Sequence, residues 1–194
     1  MIKFITGTMK SGKSMKLIKD LLESNRDYMV FKPDIDKRNE IESRKHFNYT
    51  KPHIIDSDFN FLEFFYSPEY EYTDYDGEKV YEIPNIYIDE CQFLTITQIK
   101  QLEKIVNKSF VTNVYFYGLL SDFNYRIFND TIQYILIIAD KIIKLKSVCD
   151  KCEDNNAKFN YLKEIPFAGS NVLIGDDAYD VYCSECLDKI RSLY

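Results

Sequence analysis

The chain opens Ile2-Lys3-Phe4-Ile5-Thr6 and runs straight on into Gly7-Thr8-Met9-Lys10-Ser11-Gly12-Lys13-Ser14. The first five residues read as a short apolar strand, and the next eight fit the phosphate-binding pattern G-x-x-x-x-G-K-[ST]. Met15 to Glu23 follow as a helix that would bring Ile18, Leu21 and Leu22 onto one face. Each motif position has a task. Gly7 and Gly12 permit a tight turn whose N–H groups aim inward, Lys13 brings a point charge to the transferring phosphate, and Ser14 offers a hydroxyl to Mg²⁺. Thr8, Met9, Lys10 and Ser11 form the body of the cradle, and the helix N-terminus completes an anion site. The alternative is a glycine turn that binds nothing, and the strand, motif and helix in register argue against it.

Beyond the first helix, Tyr28 to Lys32 read as a second strand closed by Pro33-Asp34. Asp34 to Lys51 is charged and lacks apolar periodicity, so it reads as a mobile loop near the phosphates. Tyr66 to Glu82, centred on Asp76-Gly77, reads as an exposed hairpin or insertion, with solvated loop as the default. Ile86-Tyr87-Ile88 is a short apolar strand ending in Asp89-Glu90-Cys91-Gln92-Phe93. Thr95 or Thr97 is placed to cap a helix whose buried face carries Ile99, Leu102, Ile105 and Val106. Val111 to Tyr117 reads as a strand ending at Gly118, Ile132 to Ala139 as a short helix, and Ile142 to Val148 as a last core strand. Strands alternating with helices imply a P-loop NTPase-like α/β fold, a mostly parallel sheet covered on both faces. Residues 1–148 are assigned to this nucleotide-binding domain and 149–194, which carry Cys149-x-x-Cys152 and Cys183-x-x-Cys186, to a small C-terminal zinc-binding domain.

The composition narrows the function classes. A chain of 194 residues with 45% hydrophobic content can bury a real core, which excludes global disorder. A net charge of −6 with scattered Lys and Arg gives no general attraction to nucleic acid, so an anionic substrate needs a local cradle. No apolar run approaches a membrane span and no leader is visible, so the expectation is a soluble cytoplasmic protein with no membrane partner.

The five cysteines of such a chain are better suited to ligation than to disulfides. Cys149-x-x-Cys152 and Cys183-x-x-Cys186 form two knuckles, and four thiolates make a closed tetrahedral zinc site that is structural, not catalytic. A disulfide pairing is the alternative reading. The interval from Glu153 to Tyr182 is longer than a usual ribbon spacing and implies a loop between the knuckles. Cys91 stands alone and reads as a small buried residue. Asp89 and Glu90 lie at the carboxyl end of a strand, where open α/β sheets bind ligands. Asp89 is placed to hold Mg²⁺ with Ser14, and Glu90 to act as general base toward an acceptor or, alternatively, toward water.

The order of these motifs, phosphate loop, Asp36-Lys37-Arg38, Asp89-Glu90-Cys91-Gln92-Phe93, Gly118-Leu119 and two cysteine knuckles, resembles the thymidine kinases of the cellular, zinc-containing type over nearly the whole chain. The resemblance implies ATP on the phosphate loop, with Asp89 and Gln92 in the ATP-binding set. It implies Glu90 as the base for the nucleoside 5′-hydroxyl, with Asp36 and Arg38 close to the phosphates. It also implies a pyrimidine pocket of Met9, Phe93, Leu119, Phe123 and Phe128. A lasso-like loop would cover the base with Asn171-Val172-Leu173-Ile174-Gly175, followed by Tyr179, and zinc would clamp both ends of that lid. A homotetramer, or a dimer, and feedback inhibition by thymidine triphosphate belong to the same expectation. The chain departs from the family in three places. Leu120 stands where the family usually has Asp, with Asp122 as the candidate substitute. Phe159-Asn160-Tyr161-Leu162 replaces an aromatic-Thr-x-Arg run, which leaves Asn160 as the possible base contact. The stretch before Cys183 is one residue short.

The reading is therefore an ATP-dependent kinase that phosphorylates thymidine, and also deoxyuridine, in nucleotide salvage. A P-loop ATPase using Glu90 to activate water, and a nucleotide sensor without turnover, are the alternatives.

Overall fold

A computed structural model describes residues 1–35, 51–73, 79–109, 111–163 and 178–192. The opening stretch folds as read: Ile2–Thr6 is strand β1, and helix α1 spans Lys13–Leu22. Its buried residues are Leu17, Ile18 and Leu21, while Leu22 is exposed, so Leu17 takes the core place expected of Leu22. The helix starts inside the phosphate motif, at Lys13, and Leu22 is its last residue, where the side chain faces solvent.

Strands β2 (Tyr28–Pro33) and β3 (His53–Ile55), helix α2 (Phe61–Phe65), and strands β4 (Glu71–Thr73), β5 (Lys79–Tyr81) and β6 (Asn85–Ile88) come next. Helix α3 (Ile96–Lys108), strand β7 (Val114–Gly118), helix α4 (Asp130–Ile138) and strand β8 (Lys141–Lys144) follow. Strands β9 (Phe159–Leu162) and β10 (Tyr179–Tyr182) and helix α5 (Ser184–Arg191) end the chain. The main sheet has the order β3-β2-β6-β7-β1-β8, with every pair parallel. All its carboxyl ends therefore meet at one edge.

The sheet is apolar on both faces, as a parallel sheet between helices must be. On one side Phe4, Phe31, Ile86, Ile88, Val114 and Phe116 meet the buried residues of α2, α3 and α4. On the other side Ile5, Val30, Tyr87 and Tyr117 meet Leu17, Ile18 and Leu21 of α1. Thr95 caps α3 in a reciprocal capping box with Gln98, and Asn129 caps α4 through its side chain. These caps satisfy amides that each helix start leaves open.

Strand β8 differs from the expectation. It is an edge strand paired only with β1, three of its four residues are exposed, and it stops at Lys144 short of Val148. Lysines at both ends are the usual protection for such an edge. The expected hairpin is present as the antiparallel pair β4 and β5. Its flanks are not simply solvated, because Tyr66, Tyr70 and Tyr81 pack against the larger core. Among the described residues no helix is long and apolar enough to cross a membrane.

Phe31 is fully buried and its ring meets those of His53, Phe59, Phe61, Phe64 and Phe65. Phe31→Ala is expected to lower unfolding stability by about 3–5 kcal/mol, because the rigid ring cluster cannot collapse into the space. Denaturant unfolding of the two proteins measures this, and a loss under about 1 kcal/mol would contradict the packing described here.

Candidate functional site

The order β6-β7-β1 brings the ends of the first and sixth strands to the same sheet edge with one strand between them. The phosphate motif leaves β1 there, Gly118-Leu119 leaves β7, and Asp89-Glu90 leaves β6. Gly12 is the N-cap of α1 at φ 81°, a left-handed conformation that glycine adopts without a steric penalty. Lys13 Nζ donates to the Thr8 carbonyl at 2.9 Å, which folds its side chain back across the loop. The Ser11 hydroxyl is buried without a hydrogen-bond partner among the described residues, which suits a loop built to enclose an oxygen-rich ligand. Ser14, in α1, and Asp89, just past β6, carry oxygen atoms of the hard kind that could hold Mg²⁺.

Glu90 sits at φ 53°, a left-handed conformation unusual for a non-glycine residue, at the turn into the short helix Cys91–Phe93. Its Oε2 accepts a hydrogen bond from Gln92 Nε2 at 2.6 Å, and Gln92 Oε1 accepts from the Leu119 amide at 3.0 Å. Gln92, expected in the ATP-binding set, is 1% exposed and uses both ends of its amide to tie Glu90 to the start of the next loop. Gly118 is needed at that junction. A Cβ there would lie 2.5 Å from Gln92 Oε1 and 2.6 Å from Cys91 Sγ.

Cys91 is fully buried, as read from the sequence, and its thiol is pushed well up. Burial is the main cause, Glu90 and Asp89 add to it, and Lys13 opposes them. The placement of these charges follows from the sheet order, since β1, which leads into Lys13, and β6, which leads into Asp89 and Glu90, end at the same edge with β7 between them.

Leu119 to Asn129 form a turn between β7 and α4. Ser121 pairs with Ile127, and Asp122 Oδ1 accepts from the amides of Asn124 at 2.8 Å and Arg126 at 3.0 Å. The Asp122 side chain therefore fastens this turn, the task its hydrogen bonds assign it. Phe93 and Phe128 meet edge to face at 5.8 Å, and Leu119, Phe123, Phe93 and Phe128 are all partly exposed. Asp36, Arg38 and Asn171 to Gly175 lie outside the described residues.

The four knuckle cysteines are brought together, with their Sγ atoms all within 4.8 Å of one another, and could hold a metal such as zinc. Burial raises the Cys149 thiol, but backbone amides of Cys152, Cys183 and Lys151 bring it down to about 6. Cys186 is pushed up to about 12, first by burial and then by hydrogen bonds to the other three sulfurs. Four sulfur donors this close are the donor set that structural zinc takes.

Two residues sit where the sequence did not place them. The Met9 side chain packs against the core around Cys149, Ala157, Val181, Cys183 and Cys186. Asn160, in β9, accepts the Met9 amide at 2.7 Å and donates to the Ser121 carbonyl at 3.3 Å. Its amide therefore joins the phosphate loop to the Leu119–Asn129 turn, and no local sequence signal distinguishes that task from a base contact. Tyr179 is buried in β10, against the partner register position Leu162.

A sequence model of the thymidine kinase family matches residues 1–187. The chain is 32% identical over 189 residues to the thymidine kinase of Enterobacteria phage T4, covering 93% of this chain and 91% of that protein. It is 28% identical over 193 residues to the thymidine kinase of Shouchella clausii, covering 94% and 93%. A shorter match of 105 residues, at 39% identity, covers 52% of this chain and 52% of the Photobacterium profundum thymidine kinase.

Proposed function

The chain belongs to the thymidine kinase family, and from that premise we propose that it transfers the γ-phosphoryl group of ATP to the 5′-hydroxyl of thymidine, and of deoxyuridine, as a nucleotide-salvage enzyme. The observation that carries the reading is the meeting of the phosphate loop, with Lys13, and the Asp89-Glu90 pair at one edge of the parallel sheet.

In this reading the amides of Gly7 to Ser14 and the start of α1 hold the phosphates, and Lys13 leaves the Thr8 carbonyl to meet the transferring group. Ser14 and Asp89 would hold Mg²⁺, which supplies charge neutralisation on the phosphates when bound. Glu90 takes the proton from the nucleoside 5′-hydroxyl as that oxygen attacks the γ-phosphorus and the bridging oxygen to ADP departs. The Gln92 amide holds the Glu90 carboxylate in place for this step. The surface of Phe93, Leu119, Phe123 and Phe128 is apolar and aromatic, suited to a pyrimidine ring. Arg38 and Asp36 are assigned to the phosphates on the family resemblance. Zinc on the four cysteines is structural, because protein ligands fill all four positions. A homotetramer and inhibition by thymidine triphosphate remain part of the proposal through the family alone.

The test is transfer of labelled γ-phosphate from ATP with Mg²⁺ to thymidine, beside deoxyuridine, deoxycytidine, deoxyguanosine and a control without nucleoside. Label on thymidine and deoxyuridine only is the expected result. Phosphate release in the control with no labelled nucleoside would replace the reading with an ATPase.

A further inference from the structure

Lys10 stands at the outer bend of the phosphate loop with φ 61°, and its ammonium reaches toward the cysteine knuckles. Its Nζ lies 3.0 Å from Asp150 Oδ2 and 3.7 Å from Asp180 Oδ1. Asp150 belongs to the first knuckle, between Cys149 and Cys152, and its Oδ2 also accepts the Val181 amide at 2.8 Å. That carboxylate is thus anchored within the cysteine unit as well as paired to the loop. Asp180 is shared between Lys10 and Lys163, the latter at 3.2 Å.

The neighbours of Lys10 are held from the same side. The Met9 amide donates to Asn160 and the Met9 side chain packs against the cysteine core. The hydroxyls of Thr8 and Ser147 are hydrogen-bonded to each other, and both residues are buried. Met9 and Lys10 of the phosphate loop therefore meet the segment that carries the cysteines, and Thr8 meets Ser147, whose carbonyl accepts the Ala157 amide of that segment at 2.9 Å. A phosphate loop binds through amides fixed in advance, so whatever fixes them contributes to affinity.

We propose that Lys10 is a positioning residue through which Asp150 and Asp180 of the cysteine unit set the phosphate loop, so that triphosphate binding and metal binding at Cys149, Cys152, Cys183 and Cys186 are energetically coupled. The inference rests on the ATP reading given above. Coupling is reciprocal by thermodynamic necessity, so ATP at the loop must tighten the hold of the cysteines on their metal.

The experiment measures, at equilibrium, the partition of zinc between the full-length protein and a competing chelator, with and without saturating ATP. Binding of a fluorescent ATP analogue is followed separately so that each protein is compared at full occupancy. In the unmodified protein ATP is expected to raise apparent zinc affinity at least about fivefold. Lys10→Met, which keeps the unbranched stem and removes the charge, should reduce that gain to under about twofold at full ATP occupancy. Asp180→Asn, three positions from the nearest cysteine, should reduce it as well if the ion pairs carry the coupling. The full gain persisting in both variants would overturn the proposal, as would no gain in the unmodified protein with the analogue bound. Failure of the analogue to bind the unmodified protein would be a different result. It would remove the ATP reading and this inference with it.

Discussion

Glu90→Gln is expected to lower the rate of phosphoryl transfer to thymidine by about 10² to 10⁴, the range typical of losing a positioned general base. ATP affinity should stay within about a factor of two, because the phosphate loop and α1 follow β1 whereas Glu90 follows β6. The substitution is well placed as a probe. Glutamine keeps the length of the side chain and can still accept from Gln92 through its carbonyl oxygen, the bond Glu90 makes at 2.6 Å. The left-handed backbone at φ 53° does not distinguish the two residues strongly, so the turn into Cys91–Phe93 should survive. Single-turnover kinetics with ATP in excess isolate the transfer step, and thermal unfolding checks that the fold is intact. Near-normal transfer by a folded variant would remove Glu90 from the base role. Equal losses in transfer and in ATP binding would assign it to nucleotide binding instead.

Much of this arrangement is legible along the chain because the signals are local. The phosphate motif fixes where β1 ends, and Thr95 with Gln98 writes its own capping box. The periodicity of Ile99, Leu102 and Ile105 needs no tertiary information to identify a buried face. The two Cys-x-x-Cys pairs likewise announce their partnership by spacing, and the sulfurs do converge.

What could not be read depends on contacts between residues distant in sequence. Asn160 looks like a candidate for the base because its neighbours resemble a substrate-binding run. Its amide meets Met9 and Ser121, 151 and 39 positions away. Asp122 looks like a replacement for a missing active-site carboxylate, yet it closes its own turn with Asn124 and Arg126. Ile142 to Val148 is apolar enough for a central strand, but sheet order puts β8 at the edge. Periodicity cannot tell an edge from a centre, because that depends on which side of the already formed sheet the strand joins. Leu17 and Leu22 both lie beside Ile18 and Leu21 on the helical wheel, so periodicity alone does not decide which edge of that face is buried, and the packing against β1, β2, β6 and β7 selects Leu17.

The second large effect is expected at the cysteines. On the proposed reading, Cys186→Ser is expected to abolish zinc binding at the four-cysteine site and to reduce thymidine phosphorylation by at least about 10², while the parallel sheet stays folded. The composition of the cores supports this separation. The two cores of the main sheet contain none of the four knuckle cysteines, whereas the small C-terminal core consists of Cys149, Ala157, Val181, Cys183 and Cys186, with Met9 and Tyr182 packed against it. Three of those five buried residues are thiols, so little apolar surface remains to hold β9, β10 and α5 together without a metal. Structural zinc supplies folding free energy on the order of 10 kcal/mol or more in comparable small sites, far beyond what this core can replace.

Loss of the metal would therefore release what the unit holds. Asn160 would no longer fix the Met9 amide or the Ser121 carbonyl. Arg191, whose guanidinium carbon lies 4.3 Å from the centre of the Tyr125 ring, would leave the turn that carries Phe123 and Phe128. The phosphate loop and the Leu119–Asn129 turn would both lose these contacts, which is why the expected loss falls on transfer as well as on stability. Metal content by atomic spectroscopy, far-ultraviolet circular dichroism and the labelled-phosphate assay, run on the same samples, separate these effects. A metal-free variant that retains sheet signal and full activity would show that the cysteine unit is dispensable for catalysis. Loss of the sheet signal together with the metal would show instead that the two parts of the chain fold as one.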